Sequence, residues 1–278
     1  MFGNIDIYVS AIGSLSRIAV LWEYAPPTQD LNDWDVFVQR GEAPTGLVTI
    51  AQALPAMKHT SYLDEANSLS DQHKILCYRL VLKNRKTGEV FESPIQTWEG
   101  ESDVVARFVI GEHNFKFRRV SGVPCAIFKK MHDGRARCPD CWNDVAKRTM
   151  KASCTTCNGT GWFVGWYDPI YVWVDLSPES KAVAYTGWGE SQPSQLDILF
   201  SDYPRLRPGD MIVEIVPGKR WAVSKSQDME RRRRPMLQVA RLDQIERGDI
   251  EYALEIPEAF KVRAVKELNE LRRNPLSL

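Results

Sequence analysis

The chain has 278 residues, which is enough for two or three domains that each bury a core. Its 36 basic and 36 acidic residues give a net charge of zero, and this excludes the overall positive charge of a protein whose whole surface binds nucleic acid. With 44% hydrophobic and 26% charged residues, the composition is typical of a folded globular protein and not of a disordered or collagen-like chain.

The N-terminal stretch "MFGNIDIYVSAIGSLSRIAVLWEY" carries no targeting signal. Its apolar residues are interrupted by Asp6, Arg17 and Glu23, a pattern that fits neither a signal peptide nor a membrane span. The sequence therefore predicts a protein that folds in a reducing cytoplasm and has no membrane partner. In that compartment, paired cysteines indicate a metal site more often than disulfides.

Apolar and polar residues alternate along the first third of the chain in the manner of short β-strands. The predicted inward residues are Ile18, Val20 and Trp22 on a first strand, Trp34, Val36 and Val38 on a second, and Leu76, Tyr78, Leu80 and Leu82 on a third. The third strand turns at Lys86-Thr87-Gly88 into a fourth. Turn-rich pieces separate these strands, so the pattern predicts a β-sandwich.

The same stretch resembles a fibronectin type III domain over roughly residues 5–99. The resemblance is carried by Trp22 followed by Pro26 and Pro27, by the alternating strand "WDVFVQRG", and by the Tyr-bearing strand "CYRLVLKNRKTGEV". It implies a module for adhesion or assembly that performs no catalysis.

Four cysteines form two C-x-x-C pairs in the middle of the chain, with twelve residues between the pairs. Tetrahedral zinc needs four soft ligands, and each short knuckle supplies two thiolates from a tight turn. A redox centre needs only one pair, and unliganded clustered thiols would be liable to oxidation. The spacing therefore predicts a zinc ion that is structural, because its ligands fill all four coordination positions. The predicted ligands are Cys138, Cys141, Cys154 and Cys157.

Two other uses of the cysteine segment stay open. The second knuckle, "CTTCNGTG", matches once the C-x-x-C-x-G-x-G repeat of DnaJ-type chaperones, which leaves a chaperone-like assembly factor as an alternative. Lys147, Arg148 and Lys151 lie between the knuckles and leave a zinc-ribbon nucleic-acid-binding protein as another. We favour the simpler interpretation that these three residues belong to a solvent-exposed loop. Cys77 and Cys125 stand apart and are predicted to be packing residues.

A longer stretch, roughly residues 104–257, resembles structural proteins of tailed bacteriophages. It includes the segments "FKFRRVSGVPCAIF" and "RPGDMIVEIVPGKRWAVSKS". The resemblance implies a subunit of a neck, tail-terminus or baseplate ring, located in the virion after assembly in the host cytoplasm. Its partners would be copies of itself and other virion proteins, and DNA only where it passes through a channel.

The late β-rich segment predicts a hairpin about Pro217-Gly218 and a further strand, "MLQVARLDQI". The run Arg231, Arg232, Arg233 and Arg234 before that strand is compatible with a phosphate site, a dock for an acidic neighbour or an exposed turn. We expect some of the large apolar residues of this segment to be buried between copies of the chain. These residues are Met211, Trp221 and Met236.

The C-terminal segment predicts a helix that begins at Pro257-Glu258, carries Arg272 and Arg273 at its end, and stops at Asn274-Pro275. Its apolar stripe is predicted to pack on its own β-domain or, alternatively, in a neighbouring subunit. The predicted stripe consists of Val262, Val265, Leu268 and Leu271.

The four histidines stand in no recognisable catalytic setting, and no phosphate-binding loop or hydrolase motif is present. They are His59, His73, His113 and His132. We therefore expect a mainly β protein that is not an enzyme. Its predicted parts are a fibronectin type III-like sandwich at 1–99, a linker and zinc-binding segment at 100–166, a β-barrel-like assembly domain at 167–255, and a C-terminal helix and tail at 256–278.

Overall fold

The computed structural model describes residues 6–14, 17–25, 31–64, 75–98, 104–131, 136–176, 185–186, 189–190, 195–231 and 234–273. These residues are mainly β, as predicted. The strands are β1 (Asp6–Ser14), β2 (Arg17–Ala25), β3 (Trp34–Gly41), β4 (Val48–Thr49), β5 (Leu54–Pro55), β6 (Ser61–Asp64), β7 (Leu76–Asn84), β8 (Val90–Glu92), β9 (Gln96–Trp98), β10 (Val123–Phe128), β11 (Trp142–Asn143), β12 (Arg148–Thr149), β13 (Ile170–Val174), β14 (Tyr185–Thr186), β15 (Gly189–Glu190), β16 (Gln195–Ser201), β17 (Met211–Glu214), β18 (Arg220–Arg231) and β19 (Arg234–Gln244).

Two α-helices accompany the strands in the described part of the chain: α1 (Val104–Lys116) and α2 (Glu258–Arg273). A π-helical turn, Phe117–Ser121, continues α1, and a 3-10 turn, Ile250–Ala253, precedes α2. Of the helices described, neither is long and apolar enough to span a bilayer.

The N-terminal strands form the predicted β-sandwich. One sheet has the order β1-β2-β6, and the other has the order β4-β3-β7-β8 with β5 paired to β3 and β9 paired to β7. The ten predicted inward residues of β2, β3 and β7 lie between the sheets, and each is at most 4% exposed. The turn predicted at Lys86-Thr87-Gly88 joins β7 to β8. Cys77, on the opposite face of β7, is also buried.

A buried carboxylate ties the two sheets of the sandwich together. Asp64 on β6 accepts hydrogen bonds from the Arg40 guanidinium on β3, at 2.8 Å, and from the Tyr78 hydroxyl on β7, at 2.9 Å. The side chain is almost fully buried, so these donors compensate for the loss of its hydration. The sandwich therefore has a polar cross-link as well as an apolar core.

The second β-domain is one six-stranded sheet with the order β13-β10-β17-β18-β19-β16. The sheet curls until its two edge strands meet, where the backbones of Asp175 and Leu199 exchange hydrogen bonds of 3.2 and 3.3 Å. The predicted hairpin about Pro217-Gly218 joins β17 to β18, and the predicted further strand is β19. The barrel-like shape predicted for this part of the chain is therefore confirmed.

The sequence-based boundary at residue 166 differs from the structure, because β10 belongs to the barrel. Within the segment predicted as a linker, Cys125 pairs with both Val172 and Glu214, and Ala126 lies between β13 and β17. The cysteine segment is thus an insertion between two neighbouring barrel strands. The helix α1 was also not predicted.

Two residues expected at contacts between copies lie instead inside the barrel domain. Met211 is 0% exposed and Trp221 is 5% exposed. Met211 contributes to the cluster under α2, and Trp221 contributes to the barrel interior, where its indole N–H donates to Glu214 at 2.8 Å. These two residues are therefore not available for contacts between copies, because their own sheet buries them. Met236, the third residue named, is only partly buried.

The helix α2 forms at the predicted position but packs through a different face. Val262 and Val265 of the predicted stripe are 61% and 52% exposed, whereas Ala264 is fully buried and Phe260 packs against the same cluster. The packing surface is the outer face of the barrel. The helix therefore covers its own domain, as the simpler of the two predictions stated.

Glu267 anchors α2 to the barrel. Its carboxylate accepts hydrogen bonds from the Tyr171 hydroxyl at 2.9 Å, the Trp173 indole at 3.0 Å and the Arg263 guanidinium at 3.0 Å. Burial of the carboxyl opposes its ionisation, but the hydrogen bonds from Arg263 and Tyr171 outweigh burial and lower the pKa of Glu267 below its ordinary value.

Because the Glu267 carboxylate holds α2 on the barrel, we expect the packing of α2 to weaken when this carboxylate is protonated in acid. A carboxyl whose pKa is lowered by folding stabilises the fold above its unfolded pKa of about 4.3, and the contribution is lost as the pH falls through the lowered folded value. The protection factors of α2 amides, which correct for the intrinsic pH dependence of exchange, should therefore fall below about pH 4.3 in the wild type. In Glu267→Gln, these protection factors should already be lower at pH 7 and should change less with acid. Equal acid dependence in the two proteins would contradict the anchoring role.

Several residues used in the sequence analysis lie outside the described residues. They are Pro26, Pro27, His73, His132, Arg232, Arg233, Asn274 and Pro275. The fibronectin type III resemblance, which depends partly on the two prolines, therefore stays a prediction.

Candidate metal centre

The four predicted ligands meet at one point. The sulfur atoms of Cys138, Cys141, Cys154 and Cys157 all lie within 4.8 Å of one another, and all four side chains are buried. The sulfurs of Cys138 and Cys154 are 3.8 Å apart, and those of Cys141 and Cys157 are 3.5 Å apart. These separations are far longer than a disulfide bond of about 2.05 Å, so the four cysteines are free thiols.

The spacing of the sulfurs fits a tetrahedral metal ion. A zinc–sulfur bond of about 2.3 Å places the corners of a regular tetrahedron about 3.8 Å apart. The two measured separations lie at or slightly below this value. Four thiolates are also the ligand set that soft or borderline metals prefer. The chain therefore presents a site that could hold one metal ion, with its coordination positions filled by protein.

Backbone hydrogen bonds hold the two knuckles in place. The amide of Cys138 donates to the Gly161 carbonyl at 3.0 Å, and the amide of Met150 donates to the Cys141 carbonyl at 2.8 Å. The Gly161 amide donates to the Cys157 sulfur at 3.3 Å. Between the knuckles, the short strands β11 and β12 form a hairpin. The segment thus orients its sulfurs through local turns and not through a large apolar core.

Backbone conformation and close packing explain why the second knuckle contains two glycines. Gly159 and Gly161 have φ values of +78° and +77°, a region that residues with a side chain rarely adopt. A Cβ atom on Gly161 would lie 2.4 Å from the Thr149 hydroxyl oxygen, and one on Gly159 would lie 2.9 Å from the Ala152 carbonyl oxygen. The two glycines therefore let the knuckle fold tightly against the preceding hairpin.

The protonation of the thiols is uneven. Burial raises the pKa of the Cys138 and Cys141 thiols above the ordinary cysteine value. Burial also acts against ionisation of Cys154, but backbone N–H groups of Cys157 and Thr156 that donate to its sulfur lower its pKa to about 7. Thiolates are the metal-binding form, so metal binding must displace protons from the raised pair.

An arginine stacks between two tryptophans on one side of the cysteine segment. The Arg137 guanidinium lies 3.4 Å from the ring centre of Trp162 and 4.0 Å from that of Trp142. Such cation–π contacts contribute about 0.5–1 kcal/mol each at exposed sites. The stack could not be predicted from the sequence, because Trp142 and Trp162 meet only when the two knuckles come together.

The segment also joins the two β-domains. Asp168, just after the knuckles, pairs with His59 at 2.9 Å and with Lys58 at 3.7 Å, and its amide donates to the Lys58 carbonyl at 3.1 Å. Burial opposes ionisation of the carboxyl, but the partnership with His59 lowers the pKa of Asp168. His59, one of the histidines noted in the sequence, therefore has a structural partner in this contact. No local sequence signal pointed to Asp168.

The basic residues between the knuckles lie at the surface. Lys147, Arg148 and Lys151 are exposed, as expected of a solvated loop. Val145, at the tip of the same hairpin, is 95% exposed. The two isolated cysteines, Cys77 and Cys125, lie in the sandwich and the barrel and take no part in the centre, as predicted.

Comparison with known proteins identifies no relative of this chain. No protein-family model, no curated protein and no solved structure matches the chain, so the assignment of function rests on its own residues.

Proposed function

We propose that this chain is a structural subunit of a tailed-phage particle and that its four cysteines hold one structural zinc ion. The observation that carries the proposal is the closed set of four buried thiols, which leaves no coordination position for a substrate or an activated water. A closed site of this kind supports assembly in preference to catalysis. The sequence resemblance to tailed-phage structural proteins supports a place in a neck, tail-terminus or baseplate ring.

The role of zinc follows from where the segment lies. The insertion connects β10 to β13 in the barrel, and Asp168 at its end contacts the sandwich through Lys58 and His59. On the other side, a Cβ atom placed on Gly159 would lie 3.0 Å from the Ile250 side chain, beside the turn that precedes α2. Zinc at the centre would therefore fix a joint at which the sandwich, the barrel and the C-terminal helix segment meet.

If the chain is a ring subunit, we expect it to form an oligomer of defined size. The purified chain should form a closed assembly with one subunit count in native mass spectrometry, because rotational symmetry requires one surface to match another on the next copy. A chain lacking residues 1–99 should form the same assembly, since the sandwich core is separate from the two clusters of the barrel domain. The chain should also be present in purified particles of the phage that encodes it.

Two results would contradict the ring. A full-length chain that stays monomeric at high concentration and is missing from intact particles would overturn the structural role. A truncated chain that is monomeric, while the isolated sandwich self-associates, would move the ring contact to the N-terminal domain.

A second candidate function is a zinc ribbon that binds nucleic acid. It is favoured by the stack of Arg137 on Trp142 and Trp162 beside the exposed Arg148 and Lys151. Aromatic rings with neighbouring cations are the usual platform for single-stranded nucleic acid. Binding of a labelled single strand that is lost in Trp142→Ala would support this function, and wild-type affinity in that variant would exclude it.

A further inference from the structure

A cleft of about 470 Å³ lies where the sandwich, the cysteine segment, the barrel and the start of α2 meet. The sandwich contributes Lys58 and His59, from the segment between β5 and β6, and the second knuckle region contributes Val164. The rest of the wall comes from the end of β10, from residues 166–169 and from residues between 254 and 260. Ligand sites in proteins commonly measure about 300–1,000 Å³, so the cleft has the size of a binding site.

Aromatic side chains line much of the cleft. They are Phe128, Trp166, Tyr167 and Phe260, and Pro257 lies beside them. Phe128, Trp166 and Phe260 also belong to the apolar cluster under α2, which holds them in place. Aromatic walls of this kind pack well against the flat rings of proline residues, and aromatic-lined grooves are the usual sites for proline-rich segments.

Trp166 carries an unpaired donor in this lining. Its side chain is 7% exposed, and its indole N–H has no hydrogen-bond partner in the part of the chain that the structure describes. A shielded donor without an acceptor is costly, so an acceptor brought by a ligand would gain more here than at a hydrated donor. Side chains at binding surfaces commonly change rotamer on binding, and Lys58 on the rim is 51% exposed and free to make room for that acceptor.

The backbone that leads into Trp166 is strained. Val164 has a φ value of +69°, which a β-branched residue rarely adopts. The Trp166 amide donates to the Val164 carbonyl at 3.0 Å, which closes a γ-turn about Gly165. The Gly165 carbonyl accepts from the Met131 amide at 3.0 Å and ties this turn to the barrel. Strained backbone of this kind collects at ligand-binding sites, so it supports a binding role for this wall of the cleft.

The rim of the cleft carries one negative charge without a partner. Asp168 is already engaged by His59 at 2.9 Å and by Lys58 at 3.7 Å. Glu255 is exposed and forms no ion pair with any residue that the structure describes. The rim therefore favours a ligand with a basic group beside its apolar part.

We propose that the cleft binds a proline-rich segment of a partner protein in the polyproline II conformation, with the Trp166 indole N–H donating to one of its carbonyls. Such a segment has no internal hydrogen bonds, so its carbonyls are free acceptors. Proline has no N–H, so the segment brings few donors that an aromatic wall would leave unpaired. A basic residue beside the prolines would pair with Glu255. This proposal depends neither on the ring nor on the zinc ribbon.

The test is a titration of the full-length chain, with its tryptophan indole groups labelled with nitrogen-15, by a peptide of about eight prolines between two arginines. The indole N–H resonance of Trp166, identified by its loss in Trp166→Phe, should move downfield as a hydrogen bond forms. Trp166→Phe keeps an aromatic ring and should weaken peptide binding about two- to tenfold, the contribution of one hydrogen bond. Its melting temperature should stay at the wild-type value, because the N–H has no partner within the described fold. Glu255→Gln should weaken binding by up to about fivefold at low salt.

The matched control is Trp142→Phe, which removes the indole N–H of a tryptophan outside the cleft and should leave the peptide affinity unchanged. A glycine-serine peptide of the same length and charge should not bind. An unmoved Trp166 resonance, or equal affinity for the two peptides, would overturn the proposal. Binding that weakens in Trp142→Phe but not in Trp166→Phe would also overturn it, and would assign the peptide to the Arg137 stack. Peptide binding that competes with self-association would overturn it by assigning the cleft to a contact between copies.

Discussion

Replacing Cys154 and Cys157 with serine is expected to unfold the cysteine segment while the sandwich stays intact. Structural zinc contributes on the order of 10 kcal/mol in small fingers, and this segment has little apolar core of its own to replace that contribution. Its described core cluster consists of the four cysteines themselves. The sandwich has a separate core, in which thirteen of the described residues are buried, and it should not respond.

Hydrogen exchange read by mass spectrometry separates these regions. In Cys154→Ser/Cys157→Ser, the amides of Cys138, Met150 and Phe163 should exchange rapidly, because each is hydrogen-bonded within the segment. The amides of β3 and β7 should keep wild-type protection. The matched control is Cys77→Ala, which removes a buried thiol of the sandwich and should retain one zinc per chain. Unchanged protection of the cysteine segment in the double variant would contradict the account.

Asp210→Ala is expected to destabilise the barrel by about 3–5 kcal/mol, the usual cost of leaving one partner of a buried ion pair alone. The substitution removes the acceptor for the Lys129 ammonium and for the backbone amides of Lys130 and Arg207. Burial lowers the pKa of Lys129, and the attraction of Asp210 opposes that shift. Without Asp210, the ammonium would keep the Arg205 carbonyl as an acceptor but would lose the negative charge that offsets its burial.

Urea unfolding followed by tryptophan fluorescence measures this loss. Asp197→Ala is the matched control, since Asp197 forms two hydrogen bonds to Arg241 at 2.8 and 3.0 Å on the exposed surface of the same sheet. Exposed pairs contribute little because water already solvates both charges. The control midpoint should therefore stay close to that of the wild type. Equal midpoints for Asp210→Ala and Asp197→Ala would show that the buried pair does not stabilise the barrel.

Local patterns in the sequence predicted those parts of the fold that depend on neighbouring residues. The inward residues Ile18, Val20 and Trp22 follow from the two-residue period of a strand, and the four ligands follow from the spacing within two knuckles. The membership of β10 in the barrel could not be predicted in this way. Its partner β17 lies far along the chain, and strand pairing over such distances leaves no local signal.

The packing face of α2 also could not be predicted from the hydrophobic pattern of the sequence. An apolar stripe through Val262 and Val265 is visible in the sequence, yet the helix buries the face that carries Ala264 and the charged Glu267. A hydrophobic pattern counts a glutamate as exposed, whereas three hydrogen-bond donors on the barrel and helix hold this one partly buried. The role of Asp168 could not be predicted either, because its partner His59 lies in the sandwich, far away in the sequence.

The most direct test of the four-cysteine zinc site is X-ray absorption at the zinc edge of the purified full-length protein, combined with metal analysis. We expect one zinc per chain with four sulfur neighbours at about 2.3 Å and no oxygen or nitrogen ligand. Protein prepared without chelator that contains no zinc, or zinc with an oxygen or nitrogen ligand in its first shell, would contradict the closed four-thiolate site.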